Sequence, residues 1–126
     1  MLLVDDARVV LEVLAQILRD AGYQVEQAQD GHTALQQVQR FRPHVLLCDL
    51  NLRGGMSGYD VARHVRSLPV QPRPVLIAMS ANVREDLVES PEAAGFDTML
   101  SKPFDVETLQ RLMPGSSPPS PTPGGR

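Results

Sequence analysis

Short runs of apolar, often β-branched residues alternate along this chain with longer stretches in which apolar positions recur at helical spacing. A strand covered on both faces reads as one continuous apolar run, whereas a helix lying on a sheet carries a stripe at i, i+3, i+4 and i+7. The alternation therefore predicts a parallel sheet with crossover helices, an α/β architecture. Leu2 to Val4 forms the first strand, and the helix after it carries Val9, Val10, Val13, Leu14, Ile17 and Leu18 before stopping at Gly22. Gln24 to Ala28 is the second strand. A helix from about Gly31 to Arg40 buries Ala34, Leu35 and Val38, and Pro43 ends the connection into the third strand, Val45 to Cys48. That strand runs straight into Asp49.

A glycine-rich loop, Arg53 to Gly58, leads to a third helix holding Val61, Ala62, Val65 and Leu68, and Pro69, Pro72 and Pro74 break its pattern. Val75 to Met79 is the fourth strand. A helix near Arg84 to Ala94 stops at Gly95, a short fifth strand lies around Thr98 to Leu100, and a last helix of about two turns runs from Val106 to Met113. From Pro114 to Arg126 the residues are almost all Pro, Ser, Gly and Thr, too poor in apolar surface to order themselves. The expected organisation is one domain over 1–113 and a disordered tail over 114–126.

Composition narrows the possible functions. A chain of 126 residues with 42% apolar content can build one real core. Twelve basic against fifteen acidic side chains give a net charge of −3, without the dense Lys/Arg run that nucleic acid or an anionic membrane would demand. The longest apolar runs are far shorter than the roughly 20 residues that span a bilayer, and no charged leader with a cleavage site opens the chain. The expectation is a cytoplasmic protein with neither direct nucleic-acid binding nor membrane insertion. Cys48 is the single cysteine and reads as a small core residue, and His32, His44 and His64 share no ligand spacing and read as surface residues.

In an open parallel sheet, ligands bind beyond the carboxyl ends of the strands. The residues found there are Asp5 and Asp6 after the first strand, Asp49 after the third, Ser80 after the fourth, and Lys102 followed by Pro103 after the fifth. Three carboxylates on one rim repel one another unless a cation intervenes, and hard oxygen donors of this kind suit Mg²⁺. A carboxylate beside such an ion can attack phosphorus, giving an acyl phosphate, while cations neutralise the transferred oxygens. Asp49 ends the most apolar strand and is the candidate nucleophile. Lys102 would pair with the phosphoryl group, and the Ser80 hydroxyl would donate to it. Each residue alone also has a plain reading: Asp5-Asp6 or Ser80 as helix caps, Asp49 as a solvated turn residue, Lys102 as a surface cation.

The segments L-L-V-D-D at 2–6, V-L-L-C-D-L-N-L at 45–52, M-S-G-Y-D-V-A-R at 56–63, M-S-A at 79–81 and G-F-D-T-M-L-S-K-P-F at 95–104 resemble the response-regulator receiver family, in the right order over residues 1 to about 112. The resemblance implies a flavodoxin-like, doubly wound five-stranded sheet in the order 2-1-3-4-5 with helices on both faces. It implies Asp49 as phosphoacceptor, Asp6 as direct and Asp5 as water-mediated ligand of Mg²⁺, and the backbone carbonyl of Asn51 as a third protein ligand. Its phosphoryl donor would be a phosphohistidine on a sensor histidine kinase or histidine phosphotransfer protein. Its output would be a changed fit to a downstream protein partner, from a monomer or a weak phosphorylation-dependent dimer.

Two departures bear on switching. The loop after Asp49 carries Arg53-Gly54-Gly55 where the family usually has a proline, and it is one residue longer. The family's switch aromatic is Met99 here, leaving Ser80 and Met99 as the switch positions. Rival readings are an aspartyl-phosphate phosphatase and a phosphorylation-independent interaction module with the same fold. The phosphatase would need an acid two residues beyond its nucleophile, where this chain has Asn51, so the reading is of a signalling domain and not of an enzyme. No output domain follows residue 113, so the expectation is a stand-alone receiver or one cut from a hybrid kinase.

Overall fold

The computed structural model describes residues 1–70 and 73–112. Five strands, β1 (Leu2–Val4), β2 (Glu26–Ala28), β3 (Val45–Asp49), β4 (Val75–Ser80) and β5 (Thr98–Ser101), form one sheet in the order β2-β1-β3-β4-β5. All four pairings are parallel. The helices are α1 (Arg8–Asp20), α2 (Gly31–Phe41), α3 (Gly58–Ser67), α4 (Val83–Asp86), α5 (Pro91–Ala94) and α6 (Val106–Leu112). The expected tail and Met113 lie outside the described residues.

The period of two along each strand divides the core into two layers. Leu2, Val4, Leu46, Cys48, Leu76 and Ala78 point to one face, where Ala34 and Val38 of α2 and Val61, Ala62 and Val65 of α3 cover them. Leu3, Leu47, Ile77 and Met79 point to the other, under Leu11, Ala15 and Leu18 of α1 and Leu109 of α6. Every residue of β3 is buried, as expected of the central strand. Among the described residues no helix is long and apolar enough to cross a membrane.

Four sequence expectations shift. Asp49 and Ser80 are the last residues of β3 and β4 and not loop residues after them, and β2 is shorter than Gln24 to Ala28 because it pairs only where β1 exists beside it. The single helix expected near Arg84 to Ala94 is two separate turns. Pro91 lacks an N–H and drives Ser90 into an extended conformation (φ −76°, ψ 119°), and Ser90 then caps α5 by accepting from the Ala93 N–H. In α1 the apolar stripe Val9, Val10, Val13 and Ile17 faces solvent, with exposures of 73%, 42%, 55% and 45%. The face that packs is Leu11, Ala15 and Leu18, in which the small Ala15 allows close approach to the sheet.

Candidate functional site

Register brings the strand ends to one rim. Val4 lies beside Cys48, Asp49 beside Met79 and Ser80 beside Ser101, so the residues at these ends become neighbours across nearly the whole chain. Asp5, Asp6 and Asp49 each offer a carboxylate oxygen within 4.8 Å of the others. The Lys102 ammonium enters the same group, donating to Asp5 Oδ2 at 2.5 Å and to Asp49 Oδ2 at 3.0 Å.

The remaining oxygens are held by backbone. Asp5 Oδ1 accepts from the Ala7 N–H at 2.9 Å and Asp49 Oδ1 from the Asn51 N–H at 3.0 Å, which fixes both carboxylates in orientation. Ala7 and not either acid is the residue before α1, so helix capping does not account for the pair. Asp6 is less buried and accepts from the Arg53 N–H at 3.1 Å, with the Arg53 guanidinium 3.5 Å away. The extra loop residue thus leaves the loop tied back over Asp6. Gly58, where that loop enters α3, lies so close to β3 that a Cβ would meet the Asp49 carbonyl oxygen and Leu50 Cα. Ser57 and Asp60 form a capping box that fixes the start of α3.

The electrostatics follow from burial. Asp49 is pushed above the usual carboxylate range by burial, which outweighs the Asn51 N–H and the Lys102 ammonium. Burial also pulls on the Lys102 ammonium, but its hydrogen bonds to Asp5 and Asp49 prevail and hold its pKa above the usual value. Cys48 is fully buried and its thiol is pushed far up, first by burial and then by the charge of Asp49, so it is a core residue without thiolate character. A surplus of hard carboxylate oxygens over the single ammonium, each with a further lone pair, fits a small divalent cation.

The other anticipated residues take different places. Ser80 is buried, and Lys102 N–H donates to its carbonyl at 2.7 Å, but its hydroxyl donates to Asp86 Oδ2 at 2.6 Å and to neither Asp49 nor any other site carboxylate. Ser80 does not cap α4, a role Asn82 fills. Asn51 meets Asp49 through its N–H, and its side chain is exposed. Met99 is half-buried beside Ala78 and packs into the α2/α3 core layer. The histidines are exposed. Asp86 escaped the sequence reading, and Arg53 was read only as part of the altered loop and not as a partner of Asp6, since neither lies at a strand end.

A family model described as "Response regulator receiver domain" matches residues 1–113. The chain is 38% identical over 108 residues to the response regulator MprA of Mycobacterium leprae, covering 86% of this chain and 46% of that protein. It is 32% identical to the virulence sensor protein BvgS of Bordetella pertussis, covering 89% of this chain and 9% of that protein. The chain thus spans less than half the length of these curated relatives. Among solved structures it is similar to the receiver domain of the sensor histidine kinase PA1611 from Pseudomonas aeruginosa, which carries a magnesium ion coordinated in its active-site cleft. The TM-score is 0.78 at 34% identity, over 87% of this chain and 89% of that one. A receiver domain from Methylobacillus flagellatus superposes with a TM-score of 0.77 at 25% identity, covering 87% of this chain and 91% of that one. With the five-stranded order, the acidic rim and the matched family model in agreement, the chain belongs to the response regulator receiver family, the signalling domain of two-component systems.

Proposed function

We propose that this domain takes a phosphoryl group onto Asp49 from a phosphohistidine on a sensor histidine kinase or histidine phosphotransfer protein, and so alters its fit to a downstream partner. The observation that carries this reading is the convergence of Asp5, Asp6 and Asp49 within 4.8 Å of one another, with the Lys102 ammonium on Asp5 and Asp49. An Asp49 carboxylate oxygen attacks phosphorus. A P–O bond forms as the P–N bond to the donor imidazole breaks, and the imidazole leaves with the electron pair and takes up a proton. Asp49 is suited to attack because the Asn51 N–H fixes one oxygen in place while burial leaves the carboxylate poorly solvated. Lys102 is already in contact with the acceptor and pairs with the arriving phosphoryl oxygens, and the Ser80 hydroxyl donates to them. Asp5, Asp6, Asp49 and the Asn51 carbonyl would hold Mg²⁺, which when bound supplies positive charge against the phosphoryl oxygens.

The donor must bring its imidazole to this rim, and the exposed stripe of α1 offers it a seat. Val9, Val10, Val13 and Ile17 line an apolar groove of about 500 Å³ whose wall includes Lys102 and Phe104, so a partner docked there is next to the acceptor. A cytoplasmic setting fits such a donor.

Incubation with acetyl phosphate and Mg²⁺ should add one phosphoryl mass to the intact chain, and Asp49→Asn or Asp49→Ala should abolish it. An adduct that persists in both variants defeats the reading.

A further inference from the structure

The Ser80 hydroxyl carries a single proton, and in this structure that proton is engaged by Asp86. Asp86 sits at the end of the one-turn helix α4, and its Oδ2 also accepts from the Asn82 N–H at 3.3 Å. Its backbone carbonyl accepts from the buried Tyr59 of α3, whose hydroxyl donates at 2.7 Å. The same segment is tied to α3 a second time, by Arg63 and Glu89. Asp86 thus links the end of β4 to the loop that follows α4 and to α3, through a carboxylate on one side and a carbonyl on the other.

We propose that Asp86 is a positioning residue for the phosphoacceptor site: it holds the Ser80 hydroxyl in the unphosphorylated chain, so that Ser80 reaches a phosphoryl oxygen only by letting go of Asp86. The proposal rests on the reading of Asp49 as phosphoacceptor. A hydroxyl donates to one acceptor at a time, so the Asp86 carboxylate and the phosphoryl group compete for it, and the exchange is a two-state switch. When the phosphoryl group wins, Asp86 loses its hold on β4, while the ties of the segment 82–89 to Tyr59 and Arg63 remain. By the same linkage, the Ser80–Asp86 bond weakens phosphoryl capture, and removing it strengthens capture. The Asp86 carboxylate accepts from the Ser80 hydroxyl and the Asn82 N–H, and not from Lys102, so its effect on the site passes through Ser80.

Beryllofluoride with Mg²⁺ serves as the phosphoryl probe, its affinity read on the full chain by titration and the segment 82–89 followed by amide hydrogen exchange. Asp86→Asn and Asp86→Ala should each bind beryllofluoride more tightly than the parent, by about tenfold for the alanine, the scale of one charge-assisted hydrogen bond. In a Ser80→Ala background the Asp86→Ala substitution should leave beryllofluoride affinity unchanged, an outcome that general loosening of the fold would not produce. Exchange in 82–89 should quicken in the parent on adding the probe, and should already be fast in both Asp86 variants without it. A parent that binds the probe while both Asp86 variants bind it equally well or less well overturns the proposal, as does an equal gain with and without Ser80. A parent that does not bind beryllofluoride at all instead overturns the phosphoacceptor reading on which the proposal rests.

Discussion

Replacing Lys102 by methionine keeps the length of its apolar stem and removes only the ammonium. The side chains concerned are poorly solvated: Lys102, Asp5 and Asp49 keep 17%, 1% and 11% of their side-chain exposure. At contact distance in a medium of effective dielectric about 20, each ion pair is worth on the order of 5 kcal/mol before desolvation is subtracted. Desolvation removes most of that, but stripping one partner from a buried pair leaves the others uncompensated, a change that costs about 3–5 kcal/mol. Taking the lower end because the rim is open to water, Lys102→Met should destabilise the metal-free protein by about 3 kcal/mol, a fall of roughly 10 °C in Tm for a domain of this size.

Circular dichroism melts in EDTA read that loss directly. Adding Mg²⁺ should restore most of it, because a divalent ion replaces the missing charge. The sign reverses for Asp49. A carboxyl whose folded pKa lies above its unfolded value binds its proton more tightly in the folded state, so stability declines as pH rises through the interval between the two values. At neutral pH the ionised Asp49 therefore opposes folding, and Asp49→Asn should raise Tm in EDTA while making the Lys102→Met loss smaller. A Tm for Lys102→Met within about 2 °C of the parent in EDTA, about 0.6 kcal/mol on this scale, would refute the charge argument. So would an identical loss with and without Asp49.

Two further outcomes follow from packing. Gly58→Ala places a methyl against the Asp49 carbonyl and Leu50 Cα, backbone atoms of the buried acceptor strand that cannot easily yield, and should lower stability by about 1–3 kcal/mol in urea unfolding; an unchanged midpoint would show that the loop absorbs it. Ile17→Asp puts a charge on the exposed α1 stripe and should slow phosphotransfer at least several-fold from any phosphorylated histidine phosphotransfer domain that labels the parent, while leaving labelling by acetyl phosphate unchanged; equal rates from the protein donor would remove α1 from the docking surface.

The sheet and its polar rim were legible in the residues alone. Strands covered on both faces must be apolar throughout, so β3 and β4 announce themselves, and parallel topology forces their carboxyl ends to one side whatever the intervening helices do. Asp5, Asp6, Asp49 and Lys102 were legible as a group for that reason. Periodicity left the side of α1 undecided, because two apolar stripes share that helix, and only packing chose the one with Ala15, whose small side chain lets the helix approach. The break between α4 and α5 was written in Ser90-Pro91 but outweighed by the surrounding helix formers in the reading. The partner of the Ser80 hydroxyl could not be read at all. A hydrogen bond depends on which acceptor tertiary structure brings within 3 Å, and Asp86 meets Ser80 from the last position of the one-turn α4.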